Sequence, residues 1–404
     1  MHNSLKLKII KYKDIIIYIN FSIYIFLQLL SITSAFYGND LVELILKVCR
    51  YLCYAIFMFK IIIDRKDVSI LECCLAFIGI LILVFSHNRS ILITLLILMS
   101  LKSLDLDRIF RLSYRVISVA FSLIIIASIL KIIPDWLYTR GDVIRHSLGF
   151  FYPTDCSSIF LLISLLLLYN NKFDTPWYQI IIFEIINILL FVYTNGRLSF
   201  LLINLILVII LLLKLNMIKK VLNKKKTFAF FKGVAFVMPI FFILITNVLI
   251  ILMPTNNYAV KKIDSILSKR ITYAEQAYKK NGIGLFGKEI EWYGLAGYGY
   301  IEMDDNYNYN FVDNSYARIL LDYGLIFTII IIIGYTRLLL YCCDKKNMVL
   351  YIIIIIILIW SFVEPYIVNI SRNVFVISFI LLLRENIKAS GWLHEKINQK
   401  KLRI

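Results

Sequence analysis

The chain is a succession of long apolar runs broken by short polar turns. Within the runs the apolar residues are continuous rather than alternating, and most runs reach the length of a membrane-crossing helix. The pattern predicts helices over roughly 14–37 and 41–63, a third ending at Phe85, a fourth over 90–104 and a fifth ending at Pro134. A sixth covers 151–169 and a seventh 177–194. An eighth ends near Leu215 and a ninth at Met253. A tenth covers 316–340, an eleventh reaches Phe362, and a last one leads into a basic tail over 384–404. One stretch breaks the rhythm: residues 254–315 are polar, aromatic-rich and long. The expected fold class is all-α, a polytopic integral membrane protein of about twelve transmembrane helices with one large external loop. Its parts are 1–253, helices joined in places by arginine-bearing turns; 254–315, the loop; and 316–404, the last helices and the tail.

Charge orients this pattern. Lys6, Lys8, Lys11 and Lys13 precede the first run. Further basic groups sit at alternate turns: Arg65 and Lys66; Lys102, Arg108, Arg111 and Arg115; Lys219, Lys220, Lys224, Lys225 and Lys226; Lys345 and Lys346. By the positive-inside rule these turns and both termini face the cytoplasm, which puts 254–315 outside. The loop has basic residues of its own, Lys261, Lys262, Lys269, Arg270, Lys279, Lys280 and Lys288, but long loops translocate despite such charge. Lys47 and Arg50 fall inside the second run, so one face of that helix should meet protein or water.

Composition agrees. The chain is 60% hydrophobic and 17% charged, with a mean hydropathy of +0.81, which excludes a soluble domain. The net charge of +18 follows from the basic turns and gives no reason to expect nucleic acid. None of the seven cysteines lies in the loop, so no disulfide framework is expected, and no spacing fits a zinc site. The first run is too long for a signal h-region and lacks a small-residue cleavage site, so it reads as a retained helix.

The turns expected outside hold Arg89, Arg140, Arg145, Arg197, Arg270, Arg318 and Arg372. A guanidinium stays charged and grips phosphate oxygens with paired hydrogen bonds. Arg89 in FSHNRSILITLLIL and Arg197 in YTNGRLSFLLINLIL each open a helix from a tight turn, an anion-binding context. The alternative is that each snorkels to lipid headgroups. In RGDVIRHSLGFFYPT, Gly149 and Pro153 force a shaped turn beside Arg145 and His146. His146 reads either as a polar cap or headgroup contact, or as a catalytic group.

In the loop, Val260, Ile263, Ile266, Leu267, Ile271, Ala274 and Ala277 recur at helical spacing up to Gly282. They predict a helix lying on anionic lipid, or a lid that points Arg270 into a cavity. Trp292, Tyr293, Tyr298, Tyr300, Tyr307, Tyr309 and Tyr316 suit either an interfacial aromatic belt or contact with sugars. Glu302, Asp304, Asp305, Asp313 and Glu364 are the candidates for a general base, although Asp313 sits where a helix cap is expected. No HExxH, P-loop, GxSxG or metal-ligand cluster occurs, so neither metal nor cofactor is expected.

Together these pieces resemble the O-antigen polymerase and ligase superfamily, most closely the Wzy-type polysaccharide polymerases. RHSLGFFYPT resembles the family's Arg-x-Ser-Leu-Gly-Phe-x-His-Pro-Asn turn, with Tyr152 in place of His and Thr154 in place of Asn. NGRLSF resembles the Ser-Arg-Ser turn before a helix, and HNRS its weaker counterpart. SKRITYAEQAYKKNGIGLFG resembles the segment in which an Arg precedes an amphipathic helix and an Asn-Pro-Leu-x-Gly turn. DNSYARILLDYGLIF resembles the motif that closes the large loop. Ligases of this superfamily carry His where this chain has Asp313, which favours a polymerase.

The resemblance implies transfer of a growing glycan from undecaprenyl pyrophosphate to the non-reducing end of a lipid-linked repeat unit. The place implied is the outer face of the bacterial cytoplasmic membrane. Arg145, Arg197 and Arg270 would contact pyrophosphate, with Arg89 and Arg318 in support. Asp313 or Glu302 would deprotonate the acceptor, and Trp292, Tyr298, Tyr300 and Tyr316 would hold the glycan. The implied partners are undecaprenyl-pyrophosphate-linked oligosaccharides, the bilayer and a chain-length regulator. The competing expectations are a ligase-like glycosyltransferase and a lipid-linked oligosaccharide flippase. A small-solute transporter would need paired Gly/Pro-broken helices, and the prolines here are few and mostly at span ends.

Overall fold

Nineteen residues from Pro153 to Asn171 form α6, the helix around which the others pack. A computed structural model describes residues 2–172, 174–215, 225–294 and 309–385. Every side chain of α6 from Asp155 to Tyr169 is buried. Ser157, Ser158 and Ser164 keep the helix slim, and Ser164 returns its hydroxyl to the Phe160 carbonyl at 2.9 Å. Before it come α1 (His2–Leu30), α2 (Asp40–Ile63), α3 (Ile70–Ser86), α4 (Ser90–Leu101) and α5 (Leu106–Ile129). A hairpin of β1 (Leu137–Arg140) and β2 (Val143–His146) joins α5 to α6. After it come α7 (Trp177–Thr194), α8 (Arg197–Lys214), α9 (Lys225–Leu252), α10 (Tyr258–Ile266) and α11 (Arg270–Asn281). Then follow α12 (Ser315–Asp322), α13 (Gly324–Asp344) and α14 (Met348–Trp360). Helix α6 packs on α5, α7, α8 and α14, while α9 packs on α11, α12, α13 and α14.

The chain is an all-α membrane protein. Among the described residues, seven helices are long and apolar enough to cross a bilayer: α1, α5, α6, α7, α8, α9 and α13. Helix α2 has 24 residues but carries Asp40, Glu43, Lys47, Arg50 and Lys60. Helices α3, α4 and α14 are apolar but shorter, at 17, 12 and 13 residues. The stretch expected as the last span begins as a 3-10 segment, Val374–Phe379.

Three breaks depart from the apolar pattern. The helix expected over 316–340 is two, because Gly324 adopts a φ of 81° between α12 and α13. The break receives the loop Gly284–Lys288. The Leu325 amide donates to the Gly284 carbonyl at 3.0 Å, and the Lys288 amide to the Leu321 carbonyl at 3.0 Å. A side chain on Gly287 or Gly324 would strike the facing backbone, so backbone meets backbone here.

The amphipathic loop helix is also two, α10 and α11. Ser268 (φ 58°) and Lys269 (φ 64°) turn the chain between them. Asp264 closes the corner by accepting from the Ile271 amide at 2.8 Å and the Thr272 amide at 3.2 Å. The apolar stripe is therefore split. Val260, Ile271, Ala274 and Ala277 pack against Leu249 and Ile250 of α9 and Ala317 and Leu321 of α12, whereas Ile263 and Ile266 stay exposed. Gly282 ends α11 as expected.

Third, residues 361–373 are neither helix nor exposed turn. Ser361, Val363, Glu364, Ile367, Val368, Ile370 and Asn373 are all buried. Buried irregular backbone must find partners inside the protein. It finds them at the start of α12: Asn314 Nδ2 donates to the Phe362 carbonyl at 2.8 Å, and the Ser315 amide to the Ser361 carbonyl at 2.9 Å. The Ser315 hydroxyl donates to the Glu364 carbonyl, and Tyr335 holds the Ile367 carbonyl at 2.6 Å.

Candidate functional site

The hairpin aims two arginines at one place. Its register pairs Tyr138 with Arg145 and Arg140 with Val143, so Arg140 and Arg145 lie on the same face. Gly141, at φ 59°, makes the two-residue turn with Asp142. His146 lies on the other face, where its Nδ1 is 2.6 Å from Asp135 Oδ2 and its ring packs edge-on to Tyr193. The Asp135 carboxylate also accepts the Leu148 amide at 2.7 Å. His146 thus braces the hairpin and faces away from the arginines.

Arg145 is only 3% exposed. Its Nε donates to the Thr194 carbonyl at 2.7 Å, and its guanidinium lies 5.3 Å from the Tyr152 ring centroid. Thr194 ends α7, and Gly196 opens the turn to α8. A side chain on Gly196 would press into Ser157 of α6, so this turn lies directly on the first turns of α6. Nη2 of Arg145 is buried with no hydrogen-bond partner among the described residues. A buried guanidinium with an unused donor is costly unless an anion completes it. Burial pulls the Arg145 pKa below its ordinary value.

Arg270 enters from the loop. Its Nε donates to Asp313 Oδ2 at 3.1 Å, and its Nη2 lies 3.5 Å from Glu364 Oε1. Burial opposes its charge, but Asp313 and Glu364 outweigh burial and hold its pKa above the ordinary value. Asp313 does not cap the next helix. Asn314 does, accepting the Tyr316 and Ala317 amides at 2.9 and 3.0 Å. The carboxylate of Asp313 is left for Arg270.

Burial pushes the Glu364 carboxyl up to about 8; Arg270 pulls it down, and the neighbouring charge of Asp313 adds to the rise. Beyond it, Arg372 donates to Asp155 Oδ1 at 2.6 Å, and the Tyr366 hydroxyl donates to the same oxygen at 3.4 Å. Arg140 donates to the Ser268 hydroxyl. Burial first, then the guanidinium groups of Arg145, Arg197 and Arg270, hold the Arg140 pKa below its ordinary value. Arg197 is exposed at the first position of α8, and its side chain makes no hydrogen bond or ion pair with the described residues.

The site therefore gathers Arg140, Arg145, Arg197, Arg270 and Arg372 against Asp155, Asp313 and Glu364. It has five cations and three acids, one of them largely protonated at neutral pH. The surplus is positive, and one guanidinium nitrogen is unfilled. Such a site can bind a phosphate or pyrophosphate, and can hold or release a proton on Glu364 within a few ångströms of Arg270.

Of the residues expected to act, the structure brings together Arg145, Arg197, Arg270 and Asp313. Arg89 lies elsewhere, donating to the Tyr51 hydroxyl of α2 at 2.9 Å. Arg318 is also elsewhere. Its Nε pairs with Asp322 at 3.1 Å, and its guanidinium lies 4.5 Å from the ring centroids of both Trp292 and Phe311. Trp292 donates to Asp322 at 2.8 Å, which places it in the same cluster as Arg318. Tyr316 is corrected as well: it is 2% exposed, stacks on Phe242 and donates to the Leu358 carbonyl at 2.7 Å. Glu302, Tyr298 and Tyr300 lie outside the described residues.

Asp155 and Tyr366 were not anticipated. The sequence carries one hint of Asp155, an acid in the first turn of an otherwise apolar helix. Tyr366 gives no such signal. No family model, curated protein or solved structure matches the chain.

Proposed function

We propose that this protein is a polysaccharide polymerase of the Wzy type. It transfers a growing glycan from undecaprenyl pyrophosphate to the non-reducing end of a lipid-linked repeat unit. In this reading about twelve segments cross or enter the cytoplasmic membrane of a bacterium, both termini are cytoplasmic, and the hairpin and the 254–315 loop face outward. A chain-length regulator is a partner of the same reading.

The observation that carries it is the unfilled Nη2 of buried Arg145 inside a cluster of arginines. Negative charge develops on the pyrophosphate as the glycosidic bond breaks, and fixed guanidinium groups stabilise it without reorganising. Arg145, Arg197 and Arg270 hold the leaving group. Glu364, beside Arg270, accepts the proton of the acceptor hydroxyl, with Asp313 keeping Arg270 in place. The bond from the sugar's anomeric carbon to the pyrophosphate oxygen breaks as the bond to the acceptor oxygen forms.

The test is deletion of the gene, display of the surface glycan on a gel, and complementation with wild type, Arg145→Ala and Arg270→Ala. Single-repeat glycan in the deletion, with a ladder restored by wild type alone, is the expected result. A normal ladder left on its lipid carrier would identify a ligase instead. Loss of all outward-facing glycan would identify a flippase.

A further inference from the structure

Helix α2 carries charges that the site described above does not use. Asp40, Glu43, Lys47 and Arg50 recur three or four residues apart and lie on one face. That face lines an open groove of ≈ 510 Å³, closed on its other side by Leu30 at the end of α1, by Ser31 and Thr33 after it, and by Phe151. Lys47 and Arg50 have no acidic partner within ion-pair distance among the described residues. They lie about 10 and 15 Å along the helix from Asp40. Uncompensated cations that far along an apolar helix are expensive in a bilayer unless something pairs with them.

The order of charge along the groove identifies the ligand. The two acids lie in the first turn of α2, the end where Tyr37 meets Trp136 beside the hairpin, and the two cations lie about two to three turns further along. A glycan on a lipid pyrophosphate has the matching order: tail in the bilayer, phosphates next, sugar hydroxyls outermost. Phe151, at the groove's wall, is followed directly by Tyr152, which contacts Arg145. One extended segment, Phe151–Tyr152, therefore borders the groove with one side chain and the arginine cluster with the next.

We propose that the α1–α2 groove is a second lipid-pyrophosphate site, which holds the acceptor while the arginine cluster holds the donor. Lys47 and Arg50 bind its phosphates, and Asp40 and Glu43 accept hydrogen bonds from its first sugar. The proposal rests on the polymerase reading, since only a reaction between two lipid-linked substrates needs two such sites.

The test counts undecaprenyl pyrophosphate molecules on the detergent-purified full chain by native mass spectrometry. Wild type should carry two. Lys47→Gln/Arg50→Gln should carry one, and so should Arg145→Gln/Arg270→Gln. Removing charge from a membrane helix lowers its insertion cost, so the groove variant should fold. Lys47→Arg/Arg50→Lys should keep both lipids. Two lipids on the groove variant would overturn this proposal and leave the arginine site standing. Retention of both on Arg145→Gln/Arg270→Gln, with one lost from the groove variant, would sink the donor site alone. Equal displacement from the groove by phosphatidylethanolamine, which also places phosphate below a polar group, would make it a bulk-lipid site and overturn the proposal.

Discussion

Arg145 donates to the Thr194 carbonyl at 2.7 Å, which ties the β1–β2 hairpin to the turn between α7 and α8. One guanidinium thereby joins two segments 49 residues apart and still presents a buried, unpartnered nitrogen. The side chain that fixes the hairpin is also the one with a donor to spare.

Arg145→Lys should therefore lose more than charge. A lysine ammonium cannot donate to the Thr194 carbonyl and also keep a second donor where Nη2 stands. Affinity for undecaprenyl pyrophosphate should fall about tenfold or more, the loss of one charge-assisted hydrogen bond. Titration of the purified variant with that lipid checks this. Unchanged affinity would mean that the unfilled nitrogen faces no ligand.

Glu364 sets a pH dependence. An ordinary glutamate has a pKa near 4.5, and here the folded form sits at about 8. Between these values the folded chain binds a proton that the unfolded chain has released. This contribution is fully favourable below about 4.5 and is lost as pH rises towards about 8, by at most about 1.4 kcal/mol per pH unit. Thermal unfolding should show Tm falling over that window, with a shallower fall in Glu364→Gln. Polymer synthesis should show the opposite trend, rising as Glu364 ionises, and the variant should lose that rise.

Gly196 and Ser157 form a coupled pair. A methyl group on Gly196 would sit 2.8 Å from Ser157 Cβ. Gly196→Ala should destabilise the protein by about 1–3 kcal/mol through overpacking, and Ser157→Gly should restore part of that loss. A double-mutant cycle on thermal stability measures the coupling. Additive effects would show that the turn and α6 are not in contact.

Arg318 separates stability from binding. It pairs with Asp322, which also accepts from Trp292. Arg318→Ala should lower stability by about 1–3 kcal/mol, because it leaves a buried carboxylate short of its cation. Affinity for undecaprenyl pyrophosphate should change less than about twofold. A loss as large as that expected for Arg145→Lys would return Arg318 to the binding site.

The apolar runs alone determine that this is a helical membrane protein, because hydropathy and length are properties of one segment at a time. They also place most helix ends to within a few residues, as at Trp177–Thr194 and Gly282. Two of the arginine turns are legible as anion-binding candidates because Arg89 and Arg197 stand where helices begin.

Which arginines meet is a different kind of fact. Arg89 and Arg197 occupy similar local sequences, yet one donates to Tyr51 and the other lies close enough to Arg140 to lower its pKa. The choice depends on contacts between distant segments: Gly287 against the Asp322–Tyr323 backbone, Asp264 across the α10–α11 corner, and Ser315 holding the Glu364 carbonyl. The buried strip 361–373 looks from sequence like a span end and a turn, and its partners on α6, α12 and α13 hold it inside. Hydropathy cannot encode these pairings, because a glycine or a serine carries the same local signal whether its partner is water or a carbonyl fifty residues away.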